Sequence, residues 1–265
     1  MFLGILKLTL AIALFSTISS IPYTLNQTFA PNTNYIFEMD MTQDNSIIVT
    51  GSTDKNVVIS KRASDGTYSV VQTITFPAAI IMASISLDGQ TLAAGDTTKT
   101  EIYTYNSGTG QFDLAQTLPA ATSLSSGSMT DDAQWLVRRS DVSQVQVFKY
   151  DGSSFILNQT ITVSYNIRRA KLSENHLFLY ILENGPTFDI YKFGGSSFAS
   201  AQSFTGFGTG NKEISYTADG SVVIVGDFVT DTAYIYDYNS GTGQYSLGAS
   251  IADGTNYSPL LCDIR

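Results

Sequence analysis

The sequence predicts an all-β protein, a β-propeller of four-stranded antiparallel blades, and three observations predict it. Two aromatic landmarks return with a common period near 44 residues. Between them lie short runs rich in Ile, Val, Tyr, Phe and Thr, separated by Asp-Gly and Gly-rich turns. Beyond the first twenty residues no apolar pattern of helical period occurs. A period near 44 with four strands per unit is the signature of a propeller blade.

Residues 1–20, MFLGILKLTLAIALFSTISS, come first in the chain and stand outside the repeat. One cation, Lys7, precedes an apolar run from Leu8 to Phe15, and small residues follow at Ser16, Thr17, Ser19 and Ser20. That order is a secretory signal, with cleavage expected near Ser19 or Ser20. The run falls short of the roughly 20 residues that span a bilayer; the alternative is an uncleaved anchor. The expected mature chain, 21–265, is a soluble propeller outside the cytosol. Three sequons fit that compartment as candidate glycosylation sites, at Asn26, Asn158 and Asn256, although Pro259 disfavours the third.

The first landmark is an aromatic residue, three more, then Gln-Thr or a variant. It appears at Tyr23/Gln27, Tyr68/Gln72, Phe112/Gln116, Phe155/Gln159 and Phe198/Gln202, with a degraded copy at Tyr245/Ala249. The second is an aliphatic residue followed by aromatic, any residue, aromatic, beginning at Ile102, Val147, Ile190 and Ile235. Both keep the same phase. Within one unit the strands are expected at 80–86, 91–94, 101–105 and 112–117, because β-branched and aromatic residues favour a pleated, half-buried surface. Asp88-Gly89 and Asn106 to Gly110 supply the positive φ that tight hairpins need. A blade must be apolar on both faces to pack between neighbours, so Ile102 is expected on one face and Tyr103 with Tyr105 on the other. This explains why only 14% of the 265 residues are charged.

The unit from Phe207-Gly-Thr-Gly through Asp219-Gly220 to Asp237 resembles the FG-GAP-type repeats of extracellular propellers. Ile85-Ser-Leu-Asp88-Gly89 to Gly95 is similar, and the order of segments resembles WD-repeat propellers. The resemblance runs from 23 to about 260 and implies the fold more than a function. The Gly-His and Trp-Asp dipeptides of WD repeats are absent, and so is the Asp-x-Asp-x-Asp-Gly calcium loop of integrin-type repeats. No calcium or other metal site is carried over, and no cofactor is expected. Five units fill 34–251, with an outer-strand sequence before them and an inner-strand-like sequence, 256–265, after them. The count leaves two readings, a five-bladed ring with loose ends or part of a six- or seven-bladed one; open strand edges would favour self-association.

The formal charge of −9 excludes a phosphate-neutralising nucleic-acid binder. No nucleophile elbow, zincin motif or phosphate loop occurs. The single histidine, His176, reads as a turn residue, and the single cysteine, Cys262, as a small hydrophobe in an apolar segment. The acids, 18 of 23 of them aspartates, concentrate in turns, where their side chains bond their own backbone. Against this background five cations cluster: Arg138, Arg139, Arg168, Arg169 and Lys171. They form a candidate patch for a protein or acidic glycan ligand through bidentate guanidinium contacts. Local pairing with Asp131, Asp132, Asp141 or Glu183 is the alternative. With no catalytic motif, the expected function is a secreted non-catalytic interaction module. The rival is an extracellular hydrolase or lyase using carboxylates from several blades around the central channel.

Overall fold

The computed structural model describes residues 27, 30–119, 121, 126–210 and 212–252. The signal-like segment, Asn26, Asn256 and Cys262 lie outside them. The chain divides at 30/31, and everything below concerns the unit from Pro31 onward. Its twenty strands form five antiparallel sheets, each of four consecutive strands in simple up-and-down order. The first blade is β1 (Ile36–Met41), β2 (Ile47–Ser52), β3 (Asn56–Arg62) and β4 (Tyr68–Thr75). The second is β5 (Ile80–Ile85), β6 (Thr91–Asp96), β7 (Thr100–Asn106) and β8 (Gln111–Thr117). The third is β9 (Gly127–Met129), β10 (Trp135–Asp141), β11 (Gln144–Tyr150) and β12 (Phe155–Thr162). The fourth is β13 (Ile167–Leu172), β14 (Phe178–Glu183), β15 (Thr187–Phe193) and β16 (Phe198–Thr205). The fifth is β17 (Lys212–Tyr216), β18 (Val222–Asp227), β19 (Thr232–Asn239) and β20 (Gln244–Ala252). The strands of the second unit fall within two residues of their expected bounds.

The strands alternate, but in the three middle blades both alternating sets are apolar because each of these blades has a neighbour on either side. Val49, Val57 and Ile59 meet Ile80, Ala83, Ile85 and Tyr103 between the first two blades. Met82 and Ile102 point the other way, toward Leu136 and Phe148. Trp135, Val137 and Val147 meet Ala170, Leu179 and Ile181, while Tyr180, Leu182 and Phe188 pack against Ile214, Val223 and Tyr236. Ile102 and Tyr103 therefore face opposite ways, as expected. Burying each large side chain stabilises the fold by about 1.5–3 kcal/mol.

The recurring glutamine has a defined job. In each of four blades one residue of the outer strand bulges out of register (Val71, Ala115, Asn158, Ala201), immediately before the glutamine. A bulge re-aims the following side chain. The carboxamide then clasps the backbone of the aromatic residue that opens the next outer strand. Gln116 Nε2 donates to Phe155 O at 2.8 Å, and Phe155 N donates back to Gln116 Oε1 at 2.8 Å. Gln72 with Phe112, Gln159 with Phe198, and Gln202 with Tyr245 repeat it.

The turn between first and second strands is also a repeating device. A Ser or Thr hydroxyl donates to an Asp or Asn two residues on, whose side chain accepts a turn amide in return, as in Ser86–Asp88 and Thr217–Asp219. The next residue takes positive φ: Asn45, Gly89, Ala133, His176 and Gly220. The turn aspartates thus bond locally, as expected. One set of carboxylates does something else: at the end of the second strand Asp96, Glu183 and Asp227 accept the amides of Ala78, Tyr165 and Gly208, pinning the connection that enters their own blade.

Candidate functional site

The inner strands β1, β5, β9, β13 and β17 lie in sequence beside one another, each an edge strand of its own sheet. Three of them carry a bulge at their first turn of pleat, between Ile36 and Glu38, Ile80 and Met82, and Ile167 and Arg169. The extra residues are Phe37, Ile81 and Arg168. Strand pairing then puts Glu38, Met82, Arg169 and Glu213 at one level, opposite Gly51, Gly95, Leu182 and Gly226. The next level holds Asp40, Ser84, Ser128, Lys171 and Ser215. Five of the nine residues at these two levels are charged, Glu38, Asp40, Arg169, Lys171 and Glu213, and the charges come from blades one, four and five.

Arg169 Nε lies 3.0 and 2.9 Å from the two carboxylate oxygens of Glu213 on the adjacent blade. Asp40 accepts from Ser84 Oγ at 3.1 Å and from the Ile85 amide at 2.9 Å, tying blade one to blade two. Glu38 lies within electrostatic reach of Arg169, Lys171, Glu213 and Asp40. Burial pushes its carboxyl up to about 7, outweighing the two cations that act to lower it. Such a carboxyl is half protonated at neutral pH and can take or give a proton there. Arg168, on its bulge, is lowered first by burial and then by Arg169, with Glu213 opposing; its Nε has no hydrogen-bond partner among the described residues.

The five cations picked out in the sequence divide into two kinds. Arg168, Arg169 and Lys171 are half-buried on the inner strand β13, and Arg139 reaches the same strand by donating Nη1 to Ile167 O at 2.9 Å. Arg138 does not join them. It is 1% exposed, fixed by Nε and Nη2 to Gln146 Oε1, bonded to Pro119 O and laid over the Phe148 ring at 5.0 Å. It is a core residue, and burial lowers it to about 10. Arg139 has the Asp141 carboxylate within electrostatic reach, as local pairing has it, whereas Arg169 takes Glu213, a residue 44 positions away. His176 occupies a turn position where other blades have Gly, Asn or Ala, at φ 61°. Its Nε2 is 3.0 Å from Asp132 Oδ2, close enough for an ion pair when protonated but off the line of a hydrogen bond. Asn158, the sequon within the described residues, uses its amide: Nδ2 donates to Ser196 O at 3.1 Å.

Solved structures share this arrangement of blades. The β-propeller domain of Myceliophteria thermophila Cps50 matches with a TM-score of 0.68 at 11% identity, over 86% of this chain and 76% of that one. This chain is a β-propeller. The periplasmic gluconolactonase of Pseudomonas aeruginosa matches with a TM-score of 0.66 at 18% identity, over 80% and 69% of the two chains. A Bacteroides uniformis protein provisionally named a 6-phosphogluconolactonase gives 0.67 at 14%, with the same coverage. At these identities the likeness establishes the fold. No family model and no curated protein sequence matches the chain.

The non-catalytic expectation is corrected here. Propellers of this build bear lactonase names, so the lack of a catalytic sequence motif carried no weight against an enzyme. The physical reason lies in the channel. A propeller gathers a site from single residues of different blades, about 44 positions apart, and leaves no local pattern. Glu38, Asp40 and Glu213 were passed over in the sequence for that reason.

Proposed function

We propose that this propeller is a hydrolase that opens a lactone or similar ester of an acidic sugar within its central channel. The observation that carries the reading is the convergence on Glu38 of charged side chains from the inner strands of three blades. The lactonase names among the structural neighbours support the reaction class. In this mechanism the Glu38 carboxylate removes a proton from water as the water oxygen attacks the ester carbonyl carbon. The Arg169 guanidinium, held in place by Glu213, stabilises the oxyanion of the tetrahedral intermediate. The intermediate collapses with cleavage of the carbon–oxygen bond, and the proton held on Glu38 passes to the departing alkoxide, giving a hydroxy acid. Arg168 and Lys171 are the cations that would hold the substrate's acidic group.

General acid–base catalysis is worth roughly 10²–10⁴-fold. Glu38→Gln is therefore expected to lower the hydrolysis of 6-phosphoglucono-1,5-lactone, whose phosphate is the acidic group, followed above the spontaneous rate, by about that factor. An undiminished rate in this variant would remove Glu38 from the mechanism. The same proposal places the enzyme outside the cytosol, which the arrangement of residues 1–20 supports. Among the described residues no helix is long and apolar enough to cross a membrane. Fractionation of the producing cells, with the N-terminus of the product sequenced, tests the location; an intact Met1 on cytosolic protein contradicts it.

A further inference from the structure

The second strands of four blades place a small or apolar residue at one matching position: Thr50, Ala94, Ile181 and Val225, paired with Met39, Ala83, Ala170 and Ile214. The third blade has Arg138 there, paired with Gly127. Arg138 follows Leu136 by two residues and so shares its face, which packs against Met82 and Ile102 of the second blade. A Cβ at Gly127 would stand 2.6 Å from Met82 Sδ and 3.4 Å from Arg138 Cβ, so glycine lets the methionine and the arginine stem sit together. A guanidinium is thereby built into this blade junction, where the other second strands carry no charge.

Its hydrogen bonds can be counted. Nε and Nη2 both donate to Gln146 Oε1, at 3.1 and 2.8 Å, and Nη2 also donates to Pro119 O. Nη1 is buried and has no partner among the described residues. Both acceptors are neutral, as is the Phe148 ring 5.0 Å away, and none of the ion pairs among the described residues includes Arg138. Burying a charge without a counter-charge is strongly unfavourable. A lysine or histidine escapes by shedding its proton, but arginine at neutral pH does not. A water at Nη1 satisfies the hydrogen bond and leaves the charge.

We propose that Arg138 Nη1 holds a monatomic anion, chloride in solution, between the second and third blades. The side chain is 1% exposed, which suits an ion that exchanges when the junction opens and excludes a substrate-sized ligand. The anion completes the bonding of the guanidinium and so steadies Pro119, on the connection that enters the third blade. The cations of β13 are separate from this site. Arg138 faces the second blade, whereas Arg139, the next residue, reaches the fourth through Ile167 O. The inference is independent of the lactone reading.

The test is thermal unfolding of the full chain in rising chloride, with ionic strength held constant by exchanging chloride for methanesulfonate. An ion that binds only the folded state raises the melting temperature by roughly 3–5 °C for each tenfold rise above its dissociation constant. The wild type is expected to show that rise and Arg138→Met to show none. Arg168→Ala is expected to keep it, because the anion does not sit on β13. A flat wild-type curve, an equal rise in Arg138→Met or loss of the rise in Arg168→Ala would each overturn the site. A second measurement needs no variant. In wild-type crystals grown in sodium bromide, anomalous density from bromine in contact with Nη1 supports the site, and its absence there overturns it.

Discussion

Two arginines thirty positions apart, Arg138 and Arg168, do opposite work, and the difference is readable atom by atom. Arg138 is enclosed, with its Nε and Nη2 on a glutamine and a carbonyl and its guanidinium over a phenyl ring. Arg168 stands on a bulge with a nitrogen that no described residue engages. Arg138→Ala should therefore destabilise by about 3 kcal/mol or more, through the cavity and the orphaned Gln146 and Pro119 oxygens. Arg168→Ala should leave unfolding within about 0.5 kcal/mol of wild type and instead weaken binding of an acidic sugar. Denaturant unfolding of both variants separates the two roles; similar losses would contradict the division. The sequence grouped Arg138 with Arg139 because adjacency along a strand hides the fact that successive side chains point to opposite faces. The turn residues were more legible. Gly89 has φ 68°, and a Cβ there would stand 3.1 Å from Thr42 Cγ2, so Gly89→Ala should cost about 1–2 kcal/mol.

The blade is legible in sequence because nearly everything that makes it is local. Its four strands, its Asp-Gly turns and its two-faced apolar pattern lie within 44 consecutive residues and recur. The glutamine landmark was visible as a pattern, while its purpose was not, since it acts across the gap between blades. The clasp from outer strand to outer strand satisfies an amide and a carbonyl that would otherwise be left at a half-buried edge. Gln116→Ala should cost about 1–3 kcal/mol, mostly from leaving the Phe155 backbone unpaired, and it should raise amide exchange at Phe155 specifically. Exchange unchanged at Phe155 would show that the clasp does not protect it. The site was illegible for the complementary reason. Glu38, Met82, Arg169 and Glu213 become one level only when the inner strands are stacked in register. A signal was present, since two of the five glutamates in the chain fall in that single column, but it emerges only once blades are aligned with their bulges counted.

Across the whole molecule three glutamates, Glu38, Glu174 and Glu183, are held at about 7, in each case first by burial. Their folded values lie above the unfolded one near 4.5, so their stabilisation is complete in mild acid and is lost as pH rises through about 7. The turn aspartates, among them Asp44, Asp65, Asp151 and Asp219, are lowered by hydrogen bonds and act oppositely, losing stabilisation only as pH falls below about 4. Melting temperature should therefore peak between about pH 4.5 and 6 and decline toward pH 8. Catalysis should run the other way, because Glu38 must be ionised to accept a proton. The most direct test is the pH dependence of kcat/KM for lactone hydrolysis by the wild type and Glu38→Gln. The account predicts a wild-type rate that rises through an apparent pKa near 7 and a variant whose residual rate lacks that rise. A variant that retains both the rate and the rise would contradict it.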